Sequence, residues 1–191
     1  MTQLGFYIDQ SRCVGCKACS VACKDLNELD VGINFRRVYS IESGGYTRSG
    51  SGGIETNVAA YYFSISCNHC TAPACLPRCP TQSITKREED GVVIVDQEKC
   101  IGSRFCVEAC PYGAPQFDKK LFKMAKCDTC LDIRDNGGEP VCVSTCPQRA
   151  IELGPIDVLR KKFGKTSQVR GMPRPVTKPN LVITPHRNAK I

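Results

Sequence analysis

Cys13, Cys16, Cys19 and Cys23 stand in a C-x2-C-x2-C-x3-C run near the start of a 191-residue chain. Thiolates at this spacing are iron-sulfur ligands: three of them at two-residue intervals let one tight loop wrap a cubane, while the fourth reaches a neighbouring cluster. One such run demands a second, and three more account for all the remaining cysteines, 15 in total. Cys67, Cys70, Cys75 and Cys79 followed by Pro80 make C-x2-C-x4-C-x3-C-P. Cys100, Ser103, Cys106 and Cys110 with Pro111 form a third run in which a serine takes the place of the second cysteine. Cys127 and Cys130, then Cys142 and Cys146 with Pro147, complete the fourth.

Two other uses of cysteine compete. Disulfides pair thiols in twos in oxidising compartments, but the count is odd and the cysteines are tightly clustered. The stretch Met1-Thr2-Gln3-Leu4-Gly5 also lacks the basic and apolar regions of a secretory leader, so no signal peptide is expected. Zinc sites use cysteine in pairs, whereas the first run packs three at two-residue intervals and adds a fourth. Iron-sulfur binding is the better reading. In two-cluster ferredoxins each cluster takes three cysteines from one run and the last cysteine of the other. The second and third runs are adjacent and pair, which leaves the first with the fourth. The expected ligand sets are Cys13, Cys16, Cys19 and Cys146; Cys127, Cys130, Cys142 and Cys23; Cys67, Cys70, Cys75 and Cys110; and Cys100, Cys106 and Cys79, with Ser103 in question.

A serine hydroxyl is less acidic than a thiol and a poorer ligand for a soft metal, so the iron at that corner should be held weakly. It is absent, leaving a [3Fe-4S] cluster; or it stays on Ser103 or water, leaving a [4Fe-4S] cluster; or no cluster forms. The intact remaining ligands favour the first. The cofactors expected are three [4Fe-4S] clusters and one [3Fe-4S] or serine-ligated [4Fe-4S] cluster.

These runs need short elements to hold them. Gly5–Asp9 reads as a strand into the first loop and Ser20–Leu26 as a short helix after it. Ala59–Ser66 and Val92–Val95 read as strands before the second and third runs, and Ala150–Leu153 as a strand after the fourth. Gly154-Pro155 opens a short helix with Ile156, Leu159 and Phe163 on one face. Glu42–Gly53 is too rich in Gly and Ser for a packed element and reads as an exposed excursion. From Gly171 onward four prolines and scattered basic residues suggest an extended tail, frayed or lying along a partner through Asn180–Thr184. The fold class expected is α+β: two bacterial-ferredoxin-like modules, each with two iron-sulfur clusters, one inserted in the other, plus an extended C-terminal tail. The outer module is residues 1–54 and 115–155, the inserted module 55–114, and residues 156–191 a short helix and partner-binding tail.

The charge of +7 counts every thiol as neutral. Four clusters at about −2 each would bring roughly −8, so the basic balance mainly offsets them. No basic run is interleaved with stacking aromatics, so no nucleic-acid partner is expected. The longest apolar runs are too short to cross a bilayer, and membrane attachment would come through a partner. Lys17 reads as a solvated charge, and Arg36 and Arg37 as either solvated or acting on a cluster. His69, between two cysteines that already have ligand spacing, is not read as a ligand. No nucleophile and base are placed together by motif, so no catalytic residue is expected.

Ser66-Cys67-Asn68-His69-Cys70, Ala109-Cys110-Pro111-Tyr112-Gly113-Ala114-Pro115-Gln116 and Gly154-Pro155-Ile156-Asp157, with the four runs in this order, resemble the iron-sulfur electron-transfer (beta) subunits of DMSO reductase-type molybdopterin oxidoreductases. The resemblance covers nearly the whole chain. It implies a non-catalytic subunit of a prokaryotic oxidoreductase complex of anaerobic respiration, peripheral to the cell membrane. Its clusters would relay single electrons between an integral-membrane quinol-reactive anchor and a large molybdopterin catalytic subunit. The first-run cluster would lie nearest the catalytic subunit and the third-run cluster nearest the membrane. Nitrate reductase subunits carry Trp at the place of Ser103 and hold a [3Fe-4S] cluster there, whereas DMSO reductase subunits usually have Cys. The alternatives are a free polyferredoxin, or the equivalent subunit of a formate dehydrogenase, polysulfide or nitrate reductase complex.

Overall fold

The computed structural model describes residues 2–189, with short elements strung between cysteine loops. In chain order these are β1 (Leu4–Asp9), α1 (Ala18–Leu26), β2 (Arg37–Ser43), β3 (Tyr46–Arg48), β4 (Ile54–Thr56), β5 (Ala59–Ile65), β6 (Ile84–Lys86) and β7 (Val93–Val95). Then follow α2 (Phe105–Ala109), β8 (Gln116–Asp118), β9 (Lys123–Ala125), α3 (Leu131–Asp135), α4 (Val141–Ser144), β10 (Ile151–Pro155), α5 (Ile156–Phe163) and β11 (Leu181–Thr184). The family-level expectation of a mixed helix and strand fold is met. No helix among the described residues is long and apolar enough to cross a membrane.

The central sheet is β10-β1-β11, with β1 antiparallel to β10 and parallel to β11. Because side chains alternate along a strand, β1 divides its residues between two apolar clusters. Phe6 and Ile8 join the large core that also holds Cys19, Cys23, Cys67, Cys70, Cys127, Cys142 and Cys146. Tyr7 faces the other way, onto Ile156, Leu159 and Val182. The helix face expected from Ile156, Leu159 and Phe163 is therefore real, and the Phe163 ring stacks on Tyr7 at 3.7 Å and 4°. Pro155 stands just before α5 as its N-cap, not within it.

Three expectations change. Leu181–Thr184 is not held out as an anchor for a partner; it pairs with β1 of its own chain, and Leu181, Val182 and Ile183 are buried there. Glu42–Gly53 is exposed as expected, but it is built: β3 and β4 form an antiparallel hairpin at its end. A module boundary between residues 54 and 55 consequently falls inside β4. The hairpin also ties β5 to β2 along its length, from Arg37↔Ile65 to Ser43↔Ala59, so residues 59–65 pair with the segment assigned to the outer module. Backbone donors and acceptors must be satisfied by a neighbour, and β2 is the neighbour here. The two short hairpins β6-β7 and β8-β9 flank the smaller core of Cys75, Ile84, Val93, Cys100, Cys106 and Met124.

Candidate metal centres

Each cysteine run bends through the same backbone. The residue before the second thiol position is left-handed in all four: Gly15 (φ 70°), His69 (φ 40°), Gly102 (φ 68°) and Thr129 (φ 71°). Such turns aim successive N–H groups into one concavity, which favours anionic sulfur. The x3 spacing then places Cys19 and Cys23 one turn apart on α1, both buried. Ser103 sits in the same kind of loop as Cys16: each is preceded by a left-handed glycine and followed by a left-handed cation, Lys17 (φ 61°) or Arg104 (φ 65°). The side chain between them differs, a hydroxyl at Ser103 and a thiol at Cys16.

Cys13, Cys16, Cys19 and Cys146 line one cavity. Cys67, Cys70, Cys75 and Cys110 line a second, and Cys79, Cys100, Cys106 and Ser103 a third. Cys23 lies among Cys127, Cys142 and Cys130, close enough for each to disfavour its ionisation. In every set the chain brings three positions of one run to the last cysteine of its partner run. All cysteines are free thiols. Among the described residues no group of three or more His, Cys, Asp or Glu is arranged to hold one metal ion. A tetrahedral zinc site holds its sulfurs about 3.8 Å apart, given a Zn–S length near 2.3 Å, and no group among the described residues meets that demand.

Donors to the sulfurs follow a second regularity. The residue four after the last cysteine of each run supplies a hydrogen bond: Asn27 Nδ2 to Cys23 Sγ at 3.8 Å, Ala114 N to Cys110 Sγ at 3.5 Å and Ala150 N to Cys146 Sγ at 3.3 Å. In the second run Ser83 Oγ lies 3.0 Å from Cys79 Sγ. Thr177, from the C-terminal segment, donates through Oγ1 to Cys70 Sγ at 3.2 Å, and Met124 N donates to Cys100 Sγ at 3.3 Å. Burial pushes the Cys23 and Cys75 thiols up to about 12 and those of Cys70, Cys106 and Cys130 up to about 11. Cys79 is the exception: burial works to raise it, but bonds with Ser83 and Thr81 bring it down to about 7. Coordination to a metal deprotonates a thiol outright, so sets of three or four thiols, ringed by N–H and O–H donors, fit iron-sulfur clusters.

Charged groups stand among these sets where sequence reasoning could not settle them. Lys17 is exposed, as expected of a solvated charge. Arg36 is 1 % exposed; Nη1 donates to Ser64 Oγ at 3.1 Å and Nη2 to Ser66 Oγ at 3.0 Å, and the guanidinium lies 4.5 Å over the Phe6 ring. Burial depresses its pKa, but Cys142, Cys127, Cys19 and Cys23 outweigh that and raise it. Lys126, also buried, donates to the carbonyls of Val93 and Cys127 and lines the cavity of Cys67, Cys70, Cys75 and Cys110. Nothing in the run Lys123-Met124-Ala125-Lys126 marks the second lysine as interior. His69 is buried, and its Nδ1 accepts from Val93 N at 3.0 Å. Burial, then Lys126 and Arg134, hold its pKa well below the ordinary value, so the ring is neutral.

Comparison with known proteins places this arrangement. The 4Fe-4S dicluster domain family matches residues 58–156, and the 4Fe-4S binding domain family residues 4–25. The protein is 51 % identical to one of the chains of the anaerobic dimethyl sulfoxide reductase of Escherichia coli strain K12, over 99 % of its own length and 92 % of the relative's. It is 34 % identical to a sulfite dehydrogenase subunit of Allochromatium vinosum, over 100 % and 86 %. It is 28 % identical to the perchlorate reductase beta subunit of Dechloromonas aromatica, over 96 % and 75 %.

Proposed function

The chain belongs to the iron-sulfur beta subunits of DMSO reductase-type oxidoreductases, and on that footing we propose that it is the electron-transfer subunit of a molybdenum enzyme complex, with four clusters in two interleaved ferredoxin-like modules. The ligands are Cys13, Cys16, Cys19 and Cys146; Cys127, Cys130, Cys142 and Cys23; Cys67, Cys70, Cys75 and Cys110; and Cys79, Cys100 and Cys106. The observation that carries this reading is the convergence of three thiol positions from one run with the last cysteine of its partner run. The fourth set binds a [3Fe-4S] cluster, or a [4Fe-4S] cluster with Ser103 at its open corner, since Ser103 keeps the loop and loses the thiolate. When bound, the clusters accept and release single electrons.

The chain's residues do the rest. Left-handed loop positions direct backbone N–H groups at the ligands, the donors four residues beyond each run satisfy their sulfurs, and apolar neighbours such as Ile8, Tyr112 and Met124 exclude water. No residue is assigned a catalytic role. A molybdopterin catalytic subunit is the partner at one end and a quinol-reactive membrane anchor at the other. Ile101, Phe105 and Phe122, exposed beside the Ser103 set, support docking of an apolar partner there.

The test is iron quantitation with low-temperature EPR on anaerobically prepared, oxidised protein, together with its co-purifying chains. About 15 iron per chain and a spin-half [3Fe-4S] signal are expected, and about 16 iron without that signal would assign an oxygen ligand to the corner iron. Absence of bound iron from protein that is otherwise intact, or stable purification with no large molybdenum subunit, would overturn the assignment.

A further inference from the structure

We propose that Arg36 and Lys126 are the fixed counter-charges of the chain's interior, and that they set the potentials of the clusters they separate; this rests on the four-cluster reading. Among the described residues Arg36 and Lys126 are the buried cationic side chains, and no aspartate or glutamate is buried. Neither residue takes part in an ion pair with a carboxylate, for the salt bridges lie elsewhere. An ionised group in a low-dielectric interior is retained only beside an opposite charge. Two serine hydroxyls and an aromatic face orient the Arg36 guanidinium but do not neutralise it.

The groups facing it are thiol positions. Ser64 Oγ, which accepts from Arg36, lies 3.4 Å from Cys19 Sγ of the first set, and Cys23, Cys127 and Cys142 of the second also face the guanidinium. Lys126 donates to the Cys127 carbonyl of the second set and lines the cavity of the third. As neutral thiols these would leave the Arg36 guanidinium a bare positive charge inside the protein and the Lys126 amine with no anion beside it. As ligands of clusters carrying about −2 each they supply the missing anions. One cation therefore lies between the first and second sets and another between the second and third. The fourth set has none: Arg104, beside Ser103, is exposed and lies over the Phe117 ring.

A fixed positive charge stabilises the reduced, more negative state of a neighbouring cluster and so raises its potential. The experiment is an EPR-monitored redox titration of the assembled complex carrying Arg36→Met, Arg36→Lys or Lys126→Met, with iron measured on each sample. Arg36→Met should lower the midpoints of the first and second sets by at least a tenfold change in the oxidised-to-reduced ratio at fixed ambient potential, about 59 mV for one electron. Lys126→Met should do the same for the second and third sets. The fourth set should hold its midpoint in both, and Arg36→Lys should stay close to the parent protein. If Arg36→Met fails to hold iron while Arg36→Lys retains it, the need for a counter-charge is shown by that contrast. Full iron with unmoved midpoints, equal shifts in all four sets, or equal damage from the Met and Lys variants would overturn the proposal while leaving the four-cluster reading intact. A parent protein without clusters would remove that reading instead.

Discussion

Gly102→Ala should cost the fourth set its cluster and leave the other three in place. The glycine is left-handed, yet His69 and Thr129 hold the same loop position with side chains, so φ alone does not forbid one. What differs is space. A Cβ at Gly102 would lie 2.2 Å from the Phe122 carbonyl oxygen and 3.1 Å from a Phe117 ring carbon. A backbone oxygen cannot swing aside, so the loop or the β8-β9 turn must move. The left-handed conformation costs an L-residue about 1–2 kcal/mol, and overpacking typically adds about 1–3 kcal/mol. The sum of about 2–5 kcal/mol disfavours the ligating loop by roughly 30-fold to 4,000-fold. Gly15→Ala meets the Tyr62 ring at 2.4 Å, but that ring is half-buried and can rotate, so the same substitution should be milder in the first loop. Iron per chain and EPR read both outcomes. Gly102→Ala should retain about 12 iron, with the fourth-set signal gone and the others unchanged. Full iron with an unaltered fourth-set signal would show that crowding does not govern this loop.

Ser103→Cys should raise bound iron from about 15 to about 16 and abolish the spin-half signal; a signal that survives means the serine is not what opens the corner. Thr177→Val removes the hydroxyl that donates to Cys70 and should lower the potential of the third set alone, as redox titration would register; an unmoved midpoint denies the bond a role. Asp90 accepts from Arg134 Nη2 at 2.8 Å and Val92 N at 3.0 Å, and against the burial that raises it these bonds hold its carboxyl below the ordinary value. The folded pKa being depressed, its stabilisation is complete above the unfolded value, about 3.9, and is lost as pH falls through the folded one. Asp90→Asn should thus lower Tm near neutral pH, by about 1–3 kcal/mol of stability. The two proteins should converge in strong acid; a gap that stays constant with pH would contradict the linkage.

Which thiol positions gather together was legible because their spacing is local: a C-x2-C loop commits its own backbone, and the adjacency of two runs brings the last cysteine of one to the other. Strands before the loops were legible for the same reason, from short apolar stretches such as Ala59–Ile65. Arg36 was not, because an arginine between Phe35 and Val38 reads alike whether its head reaches water or turns inward. Only Ser64 and Ser66, at the end of a strand some thirty positions on, decide it. The β3-β4 hairpin hid in composition, since its pairing depends on cross-strand partners and not on packing. Leu181–Thr184 announced a strand but not its neighbour. Parallel pairing with β1 joins residues separated by most of the chain, and no local signal carries that information.

That pairing governs the order of assembly. Strand β1 is synthesised first, yet both its neighbours come from beyond residue 150, the farther from residues 181–184. Until residues 151–155 are made β1 has two open edges, and one of them stays open until residues 181–184 follow. Closing so long a span costs entropy that is recovered only when the last strand docks. The central sheet is therefore complete only when residues 181–184 dock, and β11 is the strand that closes the last free edge of β1. A chain cut before Leu181 would leave that edge of β1 unpaired.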